Sequence, residues 1–107
     1  MKIFQRLTQI AEFRRRHLPF VQTIEDLDVL REIGLHQACK RPLTLKLLFL
    51  KGIGSVATVQ RRVARLRRLG VVHQSKAAHD KRLVTLRLSP SVWRSFTHLS
   101  RLMVKAR

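Results

Sequence analysis

The sequence predicts a mainly α-helical domain with one small β-hairpin. Five stretches repeat apolar residues at helical spacing, and most of them open on a serine or threonine. Near residues 71–88, two short stretches instead alternate apolar with polar residues around a basic turn. At 107 residues the chain is long enough for one modest core and too short for two.

In chain order, residues 2–17 read as a helix with Ile3, Leu7, Ile10 and Phe13 on one side. Four turns cannot bury that stripe alone, so it packs on the domain or on a second subunit. Leu18-Pro19-Phe20 ends it, because proline disfavours helix in the residue before it. Thr23 then caps a helix from Ile24 to about Gln37. Asp26 falls three residues after the cap, and Glu25, Asp26 and Asp28 sit where the helix dipole is positive. Ile24, Leu27, Leu30 and Ile33 form the expected core face, and Gly34 is a candidate stop.

Lys40-Arg41-Pro42 reads as a basic connector. Thr44 caps a short helix, Leu45 to Lys51, that ends at Gly52, and Ile53-Gly54 turns into a second helix capped by Ser55. Two helices joined by a short glycine-containing turn form a helix-turn-helix. The first is apolar on most sides through Leu47, Leu48, Phe49 and Leu50, which implies burial on several faces or contact with a partner.

The stretch from Gly54 to Leu88 organises the rest. Val59, Val63 and Leu66 give the Ser55 helix a buried stripe, and Gly70 stops it. At 100° per residue, the opposite side carries Ala57, Gln60, Arg61, Ala64, Arg65 and Arg68, with no carboxylate. Small residues allow close approach, while glutamine and arginine can read base edges. The bland alternative is a solvated basic helix. Val71 to Gln74 and Val84 to Leu88 pair as antiparallel strands, and the loop Ser75 to Arg82 brings Lys76, His79, Asp80, Lys81 and Arg82 to the tip. A basic hairpin directly after such a helix is a wing. Ser89-Pro90 starts a last helix, Pro90 to about Lys105, whose seam Val92, Phe96, Leu99 and Met103 is broad enough for intradomain packing and a subunit contact. The full expectation is a winged helix-turn-helix core, residues 21–89, between flanking helices at 1–20 and 90–107 that pack on the domain or on a second subunit.

Charge narrows the function. Twenty-three Lys and Arg against six Asp and Glu give a formal +17, which points to a polyanionic partner. After Ile33 the only acid is Asp80, so the positive field lies in the C-terminal two thirds. One cysteine, Cys39, excludes an intrachain disulfide and fits a reducing compartment. No apolar run is long enough to cross a membrane, and the N-terminus lacks a secretory core, so a cytoplasmic location is expected. His36 and Cys39 form H-x-x-C without a second pair, so neither a metal site nor a cofactor is expected. Few carboxylates and no phosphate loop argue against an enzyme.

Residues 43–72 resemble the helix-turn-helix of MarR-type winged-helix regulators, through Leu43-Thr44, Ser55-x-x-Thr58-Val59-x-Arg61, Val63, Arg65-Leu66 and Gly70-Val71-Val72. Asp80-x-Arg82 and Leu86-x-Leu88-Ser89 extend the likeness, which covers roughly residues 23–92. The resemblance implies a homodimer on double-stranded DNA, usually a repressor, with small-molecule effectors bound between dimer body and DNA-binding lobes. It also implies that the Ser55 helix enters the major groove, that Arg82 reaches the minor groove, and that Asp80 holds the wing by pairing with an arginine. The chain departs in its single C-terminal helix, its more apolar first helix and its higher charge.

On that basis Ala57, Gln60 and Arg61 are expected at base edges. Ser55, Thr58, Arg62 and Arg65 are expected at phosphates, with Arg68, Lys81 and Arg82 completing the DNA-binding set and Lys40, Arg41 and Lys46 within reach of backbone. Ile3, Leu7, Ile10, Val92, Phe96, Leu99 and Met103 are the expected dimer residues. Two rivals follow from the same residues. One is a sequence-indifferent nucleic-acid binder, RNA-associated or architectural, held by charge alone. The other is an adaptor that docks a protein through Leu47–Leu50.

Overall fold

Four helices begin on side-chain caps. Thr23 accepts from the backbone N–H of Asp26 at 3.1 Å, Thr44 from Leu47 at 3.1 Å, Ser55 from Thr58 at 3.1 Å and Ser89 from Val92 at 3.3 Å. Each cap satisfies an amide that the first helical turn leaves free. In the computed structural model, which describes residues 1–105 with side chains as far as Arg101, the helices are α1 (Lys2–His17), α2 (Ile24–Ala38), α3 (Leu45–Phe49), α4 (Val56–Arg68) and α5 (Pro90–Lys105). The strands are β1 (Leu43–Thr44), β2 (Val72–Lys76) and β3 (Val84–Leu88).

The sheet has three strands rather than the expected two, in the order β1-β3-β2, all antiparallel. β2 and β3 pair from Val72↔Leu88 to Lys76↔Val84, while β1 adds Leu43↔Leu86 and Thr44↔Thr85 on the other edge. Two residues are too few to show an alternation, so β1 left no periodic signal in the sequence.

One core forms between α2, α4 and the sheet. Val29, Leu30 and Ile33 of α2 meet Leu48 of α3, the stripe Val59, Val63 and Leu66 of α4, and Leu43, Val72, Leu86 and Leu88 of the strands. The inward face of α2 differs from expectation: Ile24 is 72% exposed and Val29 takes a central place. The reciprocal cap at Thr23 and Asp26 turns the Asp26 side chain inward, so the helix presents residues 26, 29, 30 and 33 to the core. Gly34 does not end the helix. A β-carbon there would meet Leu88 Cδ1 at 3.4 Å, an ordinary van der Waals contact, so the packing of α2 on β3 does not require glycine here. The turns after α3 and α4 use Gly52 (φ 75°) and Gly70 (φ 74°), the left-handed region where glycine costs least.

α5 joins the core by Val92, with Trp93 and Phe96 packed against it. Val92 therefore corrects one expectation: buried within its own domain, it has no surface to offer a second subunit. α1 lies against α5 through Phe13, whose ring is 4.5 Å from His17 and 5.5 Å from His98. Further toward its N-terminus, Ile3, Phe4 and Leu7 stay about half exposed or more, and Ile10 is half-buried. Leu99 is half-buried, and the Met103 side chain lies outside the described residues. In α3, Leu48 is buried while Leu47 is exposed, as is Leu50 just after the helix. No helix among the described residues is long and apolar enough to cross a membrane. Cys39 is exposed, and no group of three or more potential metal ligands occurs among the described residues.

Candidate nucleic-acid interface

The side of α4 away from the core is a continuous open surface. Ala57, Gln60, Arg61, Ala64, Arg67 and Arg68 are all exposed, as is the cap Ser55. At the start of the helix the polar groups are ordered by one another. The Ser55 hydroxyl donates to Thr58 Oγ1 at 3.0 Å, and Arg61 Nη2 donates to the same oxygen at 3.3 Å. Arg61 is thus partly pre-positioned at the end of the helix whose amides carry partial positive charge. Val56, half exposed at the first helical position, also belongs to this surface, as does Arg67. On a helical wheel both lie beside the Val59-Val63-Leu66 stripe rather than opposite it, so spacing alone does not place them on the open face.

Arg62 and Arg65 stand apart from that surface. Both guanidinium groups donate through Nη1 to Asp26 Oδ2, each at 3.4 Å, and Arg65 Nη1 also donates to the carbonyl of Phe20 at 2.7 Å. Their side chains are only 23% and 17% exposed. Arg65 was expected on the open face with Arg61 and Arg68, and Arg62 at phosphate. The structure turns both to the flank facing the start of α2, because a buried carboxylate there attracts cationic donors. On a helical wheel Arg62 lies about 60° from the centre of the buried stripe, a position from which a long side chain can reach inward. That offset was readable in the sequence; the partner, 36 residues away, was not.

The wing is closed by short-range polar contacts. Ala77 N–H donates to the Leu83 carbonyl at 2.9 Å, and Leu83 N–H to that of Asp80 at 3.0 Å. Asp80 Oδ1 accepts from the backbone N–H of Arg82 at 3.0 Å and from its Nε at 3.2 Å, while Oδ2 accepts from Nη2 at 3.4 Å. The Arg82 guanidinium, and then its backbone N–H, hold the Asp80 carboxyl below the usual carboxylate range, against a small opposing effect of desolvation. Below the tip, the Ser75 and Thr85 hydroxyls lie 3.1 Å apart, a cross-strand pair between β2 and β3. Lys81 and Arg82 are exposed at the tip, and Lys40, Arg41 and Lys46 are exposed elsewhere on the chain. On α4 itself, Ala57 and Ala64 leave a strip of small side chains among exposed Gln60, Arg61 and Arg68.

No family model matches the chain, and no curated protein matches it in sequence. Solved structures do match it. The S. aureus MepR–DNA complex superposes with a TM-score of 0.72 at 18% identity, covering 98% of this chain and 85% of that one. MarR matches with a TM-score of 0.62 at 14% identity, covering 97% and 74%. A Lactococcus lactis ZitR variant matches with a TM-score of 0.64 at 18% identity, again covering 97% and 74%. At such identities the likeness is one of architecture: the chain has the winged-helix fold of the MarR-family regulators.

Proposed function

We propose that this chain binds double-stranded DNA sequence-specifically and regulates transcription as a dimeric repressor. The observation that carries the reading is the open face of α4, where Ala57, Gln60, Arg61 and Arg68 are exposed without a carboxylate among them. Laid in a major groove, this face would bring Gln60 and Arg61 to base edges and Ala57 to thymine methyl groups. Ser55, Thr58 and Arg68 would meet phosphates. Lys81 and Arg82, at the exposed tip of the wing, would follow the duplex into the adjacent minor groove. MepR, whose fold this chain shares, is solved in complex with DNA.

In this reading residues 21–89 are the DNA-binding core. Residues 1–20 and 90–107 build the dimer through Ile3, Leu7, Ile10, Phe96 and Leu99. The half-exposed stripe on α1 supports that assignment, since apolar residues spaced along one helix face are ordinarily covered. Selection of bound fragments from random duplex DNA, read by sequencing, tests the proposal. A palindrome with half-sites about one helical turn apart is expected. Recovery of sequences without any shared motif would replace it with charge-driven, sequence-indifferent binding.

A further inference from the structure

Asp26 is fully buried, and its Oδ2 gathers donors from two parts of the chain. The backbone N–H groups of Gln22 and Thr23 donate to it at 2.9 and 3.2 Å, and Arg62 and Arg65 of α4 reach it at 3.4 Å. Its other oxygen, Oδ1, is buried without a hydrogen-bond partner. A carboxylate so placed depends on the two guanidinium groups, because removing them would leave a buried charge unpaired. The arginines in turn are drawn off the open face of their own helix. Arg65 is held twice, since the Phe20 carbonyl takes the same Nη1 at 2.7 Å.

We infer that Asp26 is a positioning residue of the interface: it withholds Arg62 and Arg65 from DNA phosphates and sets the rotation at which α4 presents Gln60 and Arg61. The inference rests on the DNA-binding reading above. Its physical basis is that α4 has two anchors of different kinds. Val59, Val63 and Leu66 bury a stripe, and apolar contact is non-directional, so it fixes depth better than rotation. The contacts at residues 62 and 65 lie on one flank and are directional, so they resist rolling of the helix about its axis. Of the five arginines on α4, then, Arg61, Arg67 and Arg68 are left for the nucleic acid. The arrangement favours recognition over raw affinity, because two cations that would bind any phosphate are kept occupied.

The full-length protein with Asp26→Asn tests this, since asparagine keeps an acceptor for the Thr23 amide while discarding the charge. Binding to a random-sequence duplex is measured from low to moderate salt, beside thermal unfolding without DNA. Asp26→Asn should steepen the plot of log K against log salt by about one to two, as each newly engaged phosphate adds roughly 0.9 to the slope. Preference for the selected site over random duplex should fall about tenfold. Arg65→Gln alone should leave the slope unchanged, whereas Arg68→Gln should flatten it by about one. Added to Asp26→Asn, Arg65→Gln should reverse part of the steepening. If Arg65→Gln flattens the wild-type slope as Arg68→Gln does, Arg65 already sits on phosphate and the inference is overturned. A less stable Asp26→Asn protein with unchanged slope and preference also overturns it, by reducing Asp26 to a structural role. Should Asp26→Asn fail to fold, the single Arg62→Gln and Arg65→Gln proteins decide by the same slope. If Arg61→Gln and Arg68→Gln leave the slope unchanged as well, the groove reading of α4 fails. The inference then falls with it, whereas a flattened slope in Arg65→Gln overturns the inference and leaves the groove reading standing.

Discussion

Arg82 grips Asp80 across the tip of the wing with both its guanidinium and its backbone N–H, yet its own side chain stays 92% exposed. The acid therefore shapes the loop, while the arginine keeps one side open to whatever the wing meets. Three atoms of one residue share two oxygens of another only two positions away, so the contact needs no tertiary support.

That pairing makes the wing sensitive to acid and indifferent to pH near neutrality. The folded Asp80 carboxyl titrates below its ordinary value of 3.8. Its contribution to wing order is thus fully present above that value and is lost as pH falls through the lowered one. Protection factors of the Arg82 and Leu83 amides, corrected for the intrinsic pH dependence of exchange, should hold from neutral pH down to about 5 and fall only below 3.8. In Asp80→Asn that acid transition should vanish.

Arg61→Ala should cost about 1–3 kcal/mol on the selected DNA site and relax preference at one base position. Its loss on random duplex should be smaller. Fluorescence anisotropy titrations on both duplexes at one salt concentration measure the difference.

Leu66 is fully buried where α4 meets the core, and Leu69, one turn on, is 54% exposed. Leu66→Ala should lower unfolding free energy by about 2–5 kcal/mol in urea titrations. Leu69→Ala should change it by about 0.5 kcal/mol or less.

Gly70 holds a φ of 74° with open space where a β-carbon would stand. Gly70→Ala meets no clash, so its cost is conformational alone, about 1 kcal/mol. Thermal unfolding should register that loss without a change in DNA site preference.

Replacing Ile3 and Leu7 by glutamate puts charge on the stripe of α1 that its own domain leaves half exposed. Sedimentation should then report a monomer, and binding to a palindromic site should drop to that of a half-site.

Much of this molecule can be read along the chain. Thr23, Thr44, Ser55 and Ser89 announce helix starts, Gly70 announces a stop, and the 59-63-66 stripe identifies the outward face of α4. Each of these signals acts within one or two turns, where sequence spacing and spatial neighbourhood coincide. Asp80 and Arg82 are legible for the same reason. What the chain could not declare is whatever depends on distant partners. Which side of α2 turns inward, whether Leu43-Thr44 joins the sheet, and whether Val92 faces its own core were all decided by packing. Arg65 shows why most clearly: its spacing allowed either the groove or the flank, and a carboxylate 39 residues earlier in the chain took it. Periodicity assigns a side chain to an arc of its helix, and only the assembled tertiary structure places a buried charge within reach of that arc.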